Sequence, residues 1–381
     1  MYCSHTDFYF RIYQFTSVLN PLSVCFSPRY VFLYESMTVI ILSNVLILYL
    51  QDIQSLFFHC FATYTQCLKQ DMGEENQTMV AEFIFTGSSN QLITRIILTG
   101  FFFLAYLVTL LGNGLIILLT ICDPHLHTPM YFFLNNLSLL DICYSSSIIP
   151  QALVNFSVER PTISFARCFC QMLISLFLGS TECFLLAVMA YDRYVAISNP
   201  LRYTVIMSKT RCIHLALASW IVTILLTVVP FFVMPSQFCG KNELDHFTCE
   251  VLAVMKLVCS DTSKNQIFMF ASASLTLFAP FFFILFSYMR IIMTILKIHS
   301  LDGRSKAFST CGSHLTVVTI FYGTAMFMYL KPQSKSSQEQ DKIITVFYGI
   351  VTPMLNPLIY TLRNQEVKAA LQRVTGRKRN T

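Results

Sequence analysis

Long apolar stretches, broken by short polar connections, recur along this chain. A bilayer core is about 30 Å thick, so a helix needs about 20 mostly apolar residues to cross it. Seven stretches reach that length: 96–121, 130–155, 168–191, 212–234, 266–293, 307–330 and 342–361. Backbone groups in lipid must bond within their own segment, so helices are expected. The strict alternation of a membrane β-barrel is absent. An eighth run, 36–50, has 15 residues, short for a span and long for a loop. After 361 the pattern changes again. Val367, Ala370, Leu371 and Val374 fall at helical spacing among Lys368, Arg373, Arg377, Lys378 and Arg379, a short amphipathic helix with a basic tail.

Composition narrows the class. Of 381 residues, 55% are hydrophobic and only 12% charged, against about 25% charged in an ordinary soluble domain. Mean hydropathy is +0.59. A soluble core of this length cannot hide so much apolar surface, and a disordered chain would be polar. The net charge of +6 is modest, and no basic stripe interleaves with aromatics, so nucleic acid is not an expected partner. The expected fold is an all-α membrane protein, a seven-transmembrane-helix bundle in the lipid bilayer.

Charge then orients the bundle. With the segment before 96 outside, the inner connections 192–211, 290–306 and 362–381 carry 14 Lys and Arg, and the outer ones carry 8. That bias agrees with the positive-inside rule and places the amino terminus outside.

The scarce polar residues inside apolar runs carry the candidate chemistry. Asp141 in span 2 and Glu182 in span 3 are acids at mid-span, where a charge is costly and marks function. Together they suit a cation such as Na⁺, a shared proton or a hydrogen-bonded structural network, with Asn113 in span 1 and Asn356 in span 7 completing a polar core. A catalytic carboxylate pair is a further reading, without the Gly-flanked motifs it would need. Span 3 ends in Met189-Ala-Tyr-Asp192-Arg193-Tyr194, where the acid–base pair is either a conformational lock or a snorkelling helix end. Span 7 reads Pro353-Met-Leu-Asn356-Pro357-Leu-Ile-Tyr360, a proline hinge that frees a carbonyl.

Fourteen cysteines do not form a secreted scaffold, since most lie inside apolar runs and no C-x-x-C occurs. On the outer side Cys168, Cys239, Cys249 and Cys259 allow three disulfide connectivities. His246-x-x-Cys249-Glu250 has metal-ligand chemistry only while Cys249 is a free thiol. Asn76-Gln-Thr78 is a glycosylation sequon. No phosphate-binding loop, nucleophile elbow or H-E-x-x-H occurs, so no enzyme is expected.

Residues 72–381 resemble an odorant receptor of the rhodopsin-like G-protein-coupled receptor family. The resemblance rests on Leu126-His-Thr-Pro-Met-Tyr-Phe-Phe-Leu134, Met189-Ala-Tyr-Asp-Arg-Tyr-Val-Ala-Ile197, Ser287-Tyr288, Lys306-Ala-Phe-Ser-Thr-Cys-Gly-Ser-His314 and Pro353 to Tyr360, in that order. It implies that Asp192, Arg193 and Tyr194 serve G-protein coupling, with Arg193 as the ionic-lock arginine. It makes Asn356, Pro357 and Tyr360 the activation switch, and Asp141 and Glu182 the acids of an allosteric sodium site. It pairs Cys168 with Cys249 and Cys239 with Cys259. It places a small volatile odorant against Leu176, Gly179 and Ser180 of span 3 and Tyr322, Ala325 and Tyr329 of span 6. The implied partners are that odorant and a stimulatory heterotrimeric G protein that raises cyclic AMP, at the plasma membrane. Rival readings are a receptor of the same fold for another small ligand, and a transporter or channel, for which no internal repeat is visible. Arg167 stands where the family has a small residue. Residues 1–71 match nothing in the family, and the expectation is that they stem from an upstream start in the gene model, with Met72 beginning the working protein. The alternative is that 36–50 inserts as an eighth span.

Overall fold

The computed structural model describes residues 81–87, 91–230, 242–258, 263–297, 300–330, 337–362 and 365–374. Residues 1–71 and the sequon at Asn76 lie outside them.

Seven helices are long and apolar enough to cross a membrane. They are α1 (Leu92–Cys122), α2 (Pro129–Ser157), α3 (Phe165–Ser198), α4 (Lys209–Thr223, running on through a π-helical turn at Ile224–Val228), α5 (Ser263–Leu296), α6 (Leu301–Leu330) and α7. The last is built from Ser337–Val346, a π-helical turn at Phe347–Val351, and Thr352–Leu362. Each contains one of the seven apolar stretches or its greater part. A short helix, α8 (Gln365–Val374), follows directly.

Local chemistry sets the helix ends. Pro129 opens α2, where its missing N–H is no loss. Ser164 caps α3 by accepting from the Arg167 N–H. Asp123 follows α1 and accepts from the His125 N–H at 3.0 Å, starting a single turn at Pro124–Leu126.

Burial sets the layers. The most apolar window is 67% buried in α2 and 61% in α3, but 33% in α1 and 28% in α4, so α2 and α3 form the centre. The outer faces carry bare Leu92, Ile93, Ile96, Phe103, Leu225, Phe270 and Phe286. In water such a girdle would aggregate; in lipid it faces its own solvent.

Prolines bend the bundle where polar residues can answer them. Pro357 cannot donate to the Pro353 carbonyl, and Asn113 Nδ2 donates to it instead at 3.1 Å. Beside it, α1 and α7 meet so closely that a Cβ on Gly112 would stand 2.8 Å from the Pro357 ring. Glycine is therefore required there by contact.

One end of the bundle carries a three-stranded sheet in the order β2-β1-β3. The central strand β1 (Glu82–Phe85) pairs antiparallel with β2 (Thr162–Ser164), with Phe83 opposite Ile163. It pairs parallel with β3 (Glu243–Leu244), with Phe85 opposite Leu244. Phe83 and Phe85 bury against Ile163, Leu244, Met172 and the Cys168–Cys249 disulfide. This is the sheet end; α8 lies at the other, tail end.

Candidate functional site

At the tail end of α3, Asp192 and Arg193 are buried and paired, with Arg193 Nε 3.1 Å from Asp192 Oδ2. The other carboxylate oxygen accepts from Tyr203 Oη at 2.7 Å. A charge in so dry a place must be paired and hydrogen-bonded, and this one is. Nearby, His314 of α6 bonds to Tyr288 Oη of α5 at 2.7 Å and to the Leu186 carbonyl of α3 at 3.2 Å. Met130, Met189, Asp192, Arg193, His314 and Tyr360 leave a void of only about 10 Å³. These side chains leave no room for a partner between them. Tyr194 lies partly buried beside Tyr191.

Midway along the bundle lies a polar core. Asn356 Nδ2 bonds both Asp141 oxygens, and the carboxyl of Glu182 is buried in α3. Among the described residues, buried Glu182 Oε1, Asn113 Oδ1, Ser138 Oγ, Asn356 Oδ1 and Tyr360 Oη lack a hydrogen-bond partner. Such atoms on the spanning helices call for an explanation, because each costs the full desolvation of its group. Two carboxylates and several amide and hydroxyl oxygens suit a hard cation.

Nearer the sheet end, Tyr322 of α6 donates to the Cys183 carbonyl of α3 at 3.1 Å, and its ring lies 5.3 Å from Phe281 of α5. One side chain thus ties three helices. Ser180 is buried, while Leu176, Gly179 and Ala325 are half-buried. A Cβ on Gly179 would touch Tyr144 of α2, so Gly179 turns towards α2. Tyr329 lies in α6, but its side chain is outside those described.

The loop below the sheet is fastened at four points. Cys249 is bonded to Cys168, with Cα atoms 5.4 Å apart. The Cys249 N–H donates to Gln171, which itself donates to the Ser147 carbonyl. Asn155 donates to the Phe247 carbonyl, and His246 Nε2 lies 3.3 Å from Thr345 Oγ1 of α7. Burial holds His246 down at about 4. Burial pushes Glu250 up to about 7, although it accepts from the Leu252 and Ala253 N–H groups. Because Cys249 is in a disulfide, the His246–Cys249–Glu250 metal reading loses its thiolate. No group of three His, Cys, Asp or Glu side chains placed to hold a metal forms among the described residues. Cys239 and Cys259 lie outside them.

Comparison with known proteins agrees with this architecture. A family model described as olfactory receptor matches residues 102–378. Human olfactory receptor 13C9 is 53% identical over 311 residues, covering 80% of this chain and 98% of that protein. Human olfactory receptor 13H1 is 52% identical over 303 residues, with the same coverage. The dog olfactory receptor-like protein OLF3 is 50% identical over 308 residues, covering 80% of this chain and 96% of its own.

The chain belongs to the olfactory receptor family.

An olfactory receptor is a multi-pass membrane protein, at the plasma membrane in this family, and it is not an enzyme. For this olfactory receptor, several residues around the site carried no signal in the sequence. Tyr203 and Gln171 are polar residues in or near polar connections, and Asn155 stood out only as part of a sequon, Asn155-Phe-Ser157, close to the bilayer. Tyr288 and His314 stood inside recognised motifs, but nothing in the spacing joined them to each other.

Proposed function

We propose that this receptor stands with its sheet end outside the cell and its tail inside. There it binds a small, volatile, mostly apolar odorant between α3, α5 and α6, and activates a stimulatory G protein that raises cyclic AMP. The excess of Lys and Arg on the tail side supports the orientation. Apolar walls with a few hydroxyls, at Leu176, Ser180, Tyr322 and Ala325, suit such a ligand.

One observation carries the reading: buried Arg193, held by Asp192, which Tyr203 also holds. The arrangement is a closed state with a charged residue ready for other contacts. A ligand that prefers the open arrangement of α3, α6 and α7 shifts the population, and Arg193 then meets the G protein. Asn356, Pro357 and Tyr360 form the part of α7 that moves. The shared core of Asp141, Glu182, Asn113 and Asn356 would hold a sodium ion, which neutralises the two acids and favours the closed state. Outside, Asn76 carries a glycan and Cys239 pairs with Cys259.

Arg193→Ala tests the mechanism. Surface protein stays near the normal amount and odorant-driven cyclic AMP is abolished. Normal output from that variant overturns the role of Arg193.

A further inference from the structure

Asp123 is a loop residue, yet only 4% exposed. Its backbone N–H closes α1 by donating to the Leu119 carbonyl at 3.0 Å. Its Oδ1 accepts from the His125 N–H and lies 2.8 Å from His125 Nδ1. Its Oδ2 takes both Nε and Nη2 of Arg373, at 2.9 and 2.6 Å, from 250 residues further on. Burial alone would push this carboxyl up, but the bonds from Arg373 and His125 outweigh it and hold it at about 2. Seven residues before Arg373, at the start of α8, Glu366 Oε2 accepts from Tyr131 Oη of α2 at 2.7 Å. Val367 and Ala370, between the two anchors, are buried.

Seven residues are about two helical turns, so both anchors and the apolar contact share one face. A helix pinned at both ends of one face can neither roll nor slide. The helix is also joined to α7 through two residues only, since α7 ends at Leu362 and α8 begins at Gln365. The inner half of α7 holds Asn356, Pro357 and Tyr360, and α1 touches it at Gly112 and Asn113.

We propose that Asp123 and Tyr131 are positioning residues that clamp α8 to the start of α2 and the loop before it and, through α8, hold the inner half of α7 in its closed position. The clamp works against the movement that activation needs. The effect on signalling rests on the coupling reading above; the effect on α7 does not.

Tyr131→Phe removes one oxygen and keeps the ring, so it leaves packing intact. Asp123→Asn removes the charge and keeps an oxygen for the His125 N–H. Hydrogen exchange of the intact receptor in lipid nanodiscs is the direct measurement. Both variants should exchange about fivefold faster over 365–374 and also over 352–362, the equivalent of one lost hydrogen bond. Faster exchange confined to 365–374 overturns the proposal, and so does no change in either segment. In cells, ligand-independent cyclic AMP should rise at unchanged surface level, which a merely structural defect would lower. If exchange quickens over both segments while output stays flat, the clamp stands and the coupling reading falls.

Discussion

Asn356 donates from one nitrogen to both oxygens of Asp141, each at 3.1 Å, across 215 residues of sequence. That contact joins α7 to α2 beside the Pro357 kink. In Asn356→Leu the carboxylate loses its donor inside the membrane. A hydrogen bond to a charged group is worth about 2 kcal/mol, and the loss should appear as a lower Tm of the purified receptor together with a lost odorant response. An unchanged Tm would show that the contact contributes nothing.

Sodium should raise the Tm of the wild-type receptor when it replaces a bulky organic cation at equal ionic strength. Asp141→Asn and Glu182→Gln should each abolish that increment. A sodium increment that persists in both variants would place the ion elsewhere.

Cys168 and Cys249 close a loop of 81 residues. In a soluble chain such a closure is worth about 4.5 kcal/mol; the membrane already confines the intervening helices, so the effect here is smaller. Cys249→Ser should still reduce surface protein severalfold, because the disulfide lies beneath Phe83 and Phe85. Flow cytometry with an outer tag measures this, and wild-type surface levels would contradict it.

Two buried groups in the loop below the sheet answer pH in opposite directions. Glu250, raised from 4.5 to about 7, contributes stability that is full below 4.5 and lost as pH rises through about 7. His246, lowered from 6.5 to about 4, contributes stability that is full above 6.5 and lost as pH falls through about 4. Glu250→Gln should therefore make the receptor more stable at about pH 7 than at about pH 5, and His246→Gln should reverse that order. Two variants with the same sign of pH dependence would refute the assignment.

Relatives are covered almost from end to end while a fifth of this chain is left over. A receptor that starts at Met72 keeps β1 and all that follows it, and should reach the surface and signal normally. Removing residues 1–86 deletes β1 and should lower both. Epitope counts and cyclic AMP on the two truncations decide. A severe defect in the first truncation would show that 1–71 is needed.

The seven spans were legible because crossing a bilayer leaves a crude mark, a long run without charge. Asp141, Glu182, Asn113 and Asn356 were legible for the converse reason: a polar residue in lipid stands out. The free carbonyl beside Pro357 was foreseen, but its partner was not, since Asn113 lies far away in sequence. Tyr131 stood inside a motif and Arg373 in the amphipathic tail helix, but their pairing with Glu366 and Asp123 left no trace, because charges and a tyrosine beside polar loops are ordinary in isolation. The sheet was equally hidden. Strands of four, three and two residues are too short for alternation to register. Spacing alone left the disulfide as one of three pairings; the family resemblance implied Cys168 with Cys249, and the fold joins those two.

Among the described strands, the one made first is the one that ends in the middle. During synthesis β1 emerges before α1, yet one neighbour, β2, follows α2, and the other, β3, follows α4. Its pairing with β2 must wait for two helices, and its pairing with β3 for four. The sheet end therefore closes only after α4 has been made, and until then an early chain keeps Phe83 and Phe85 without the full set of partners that bury them.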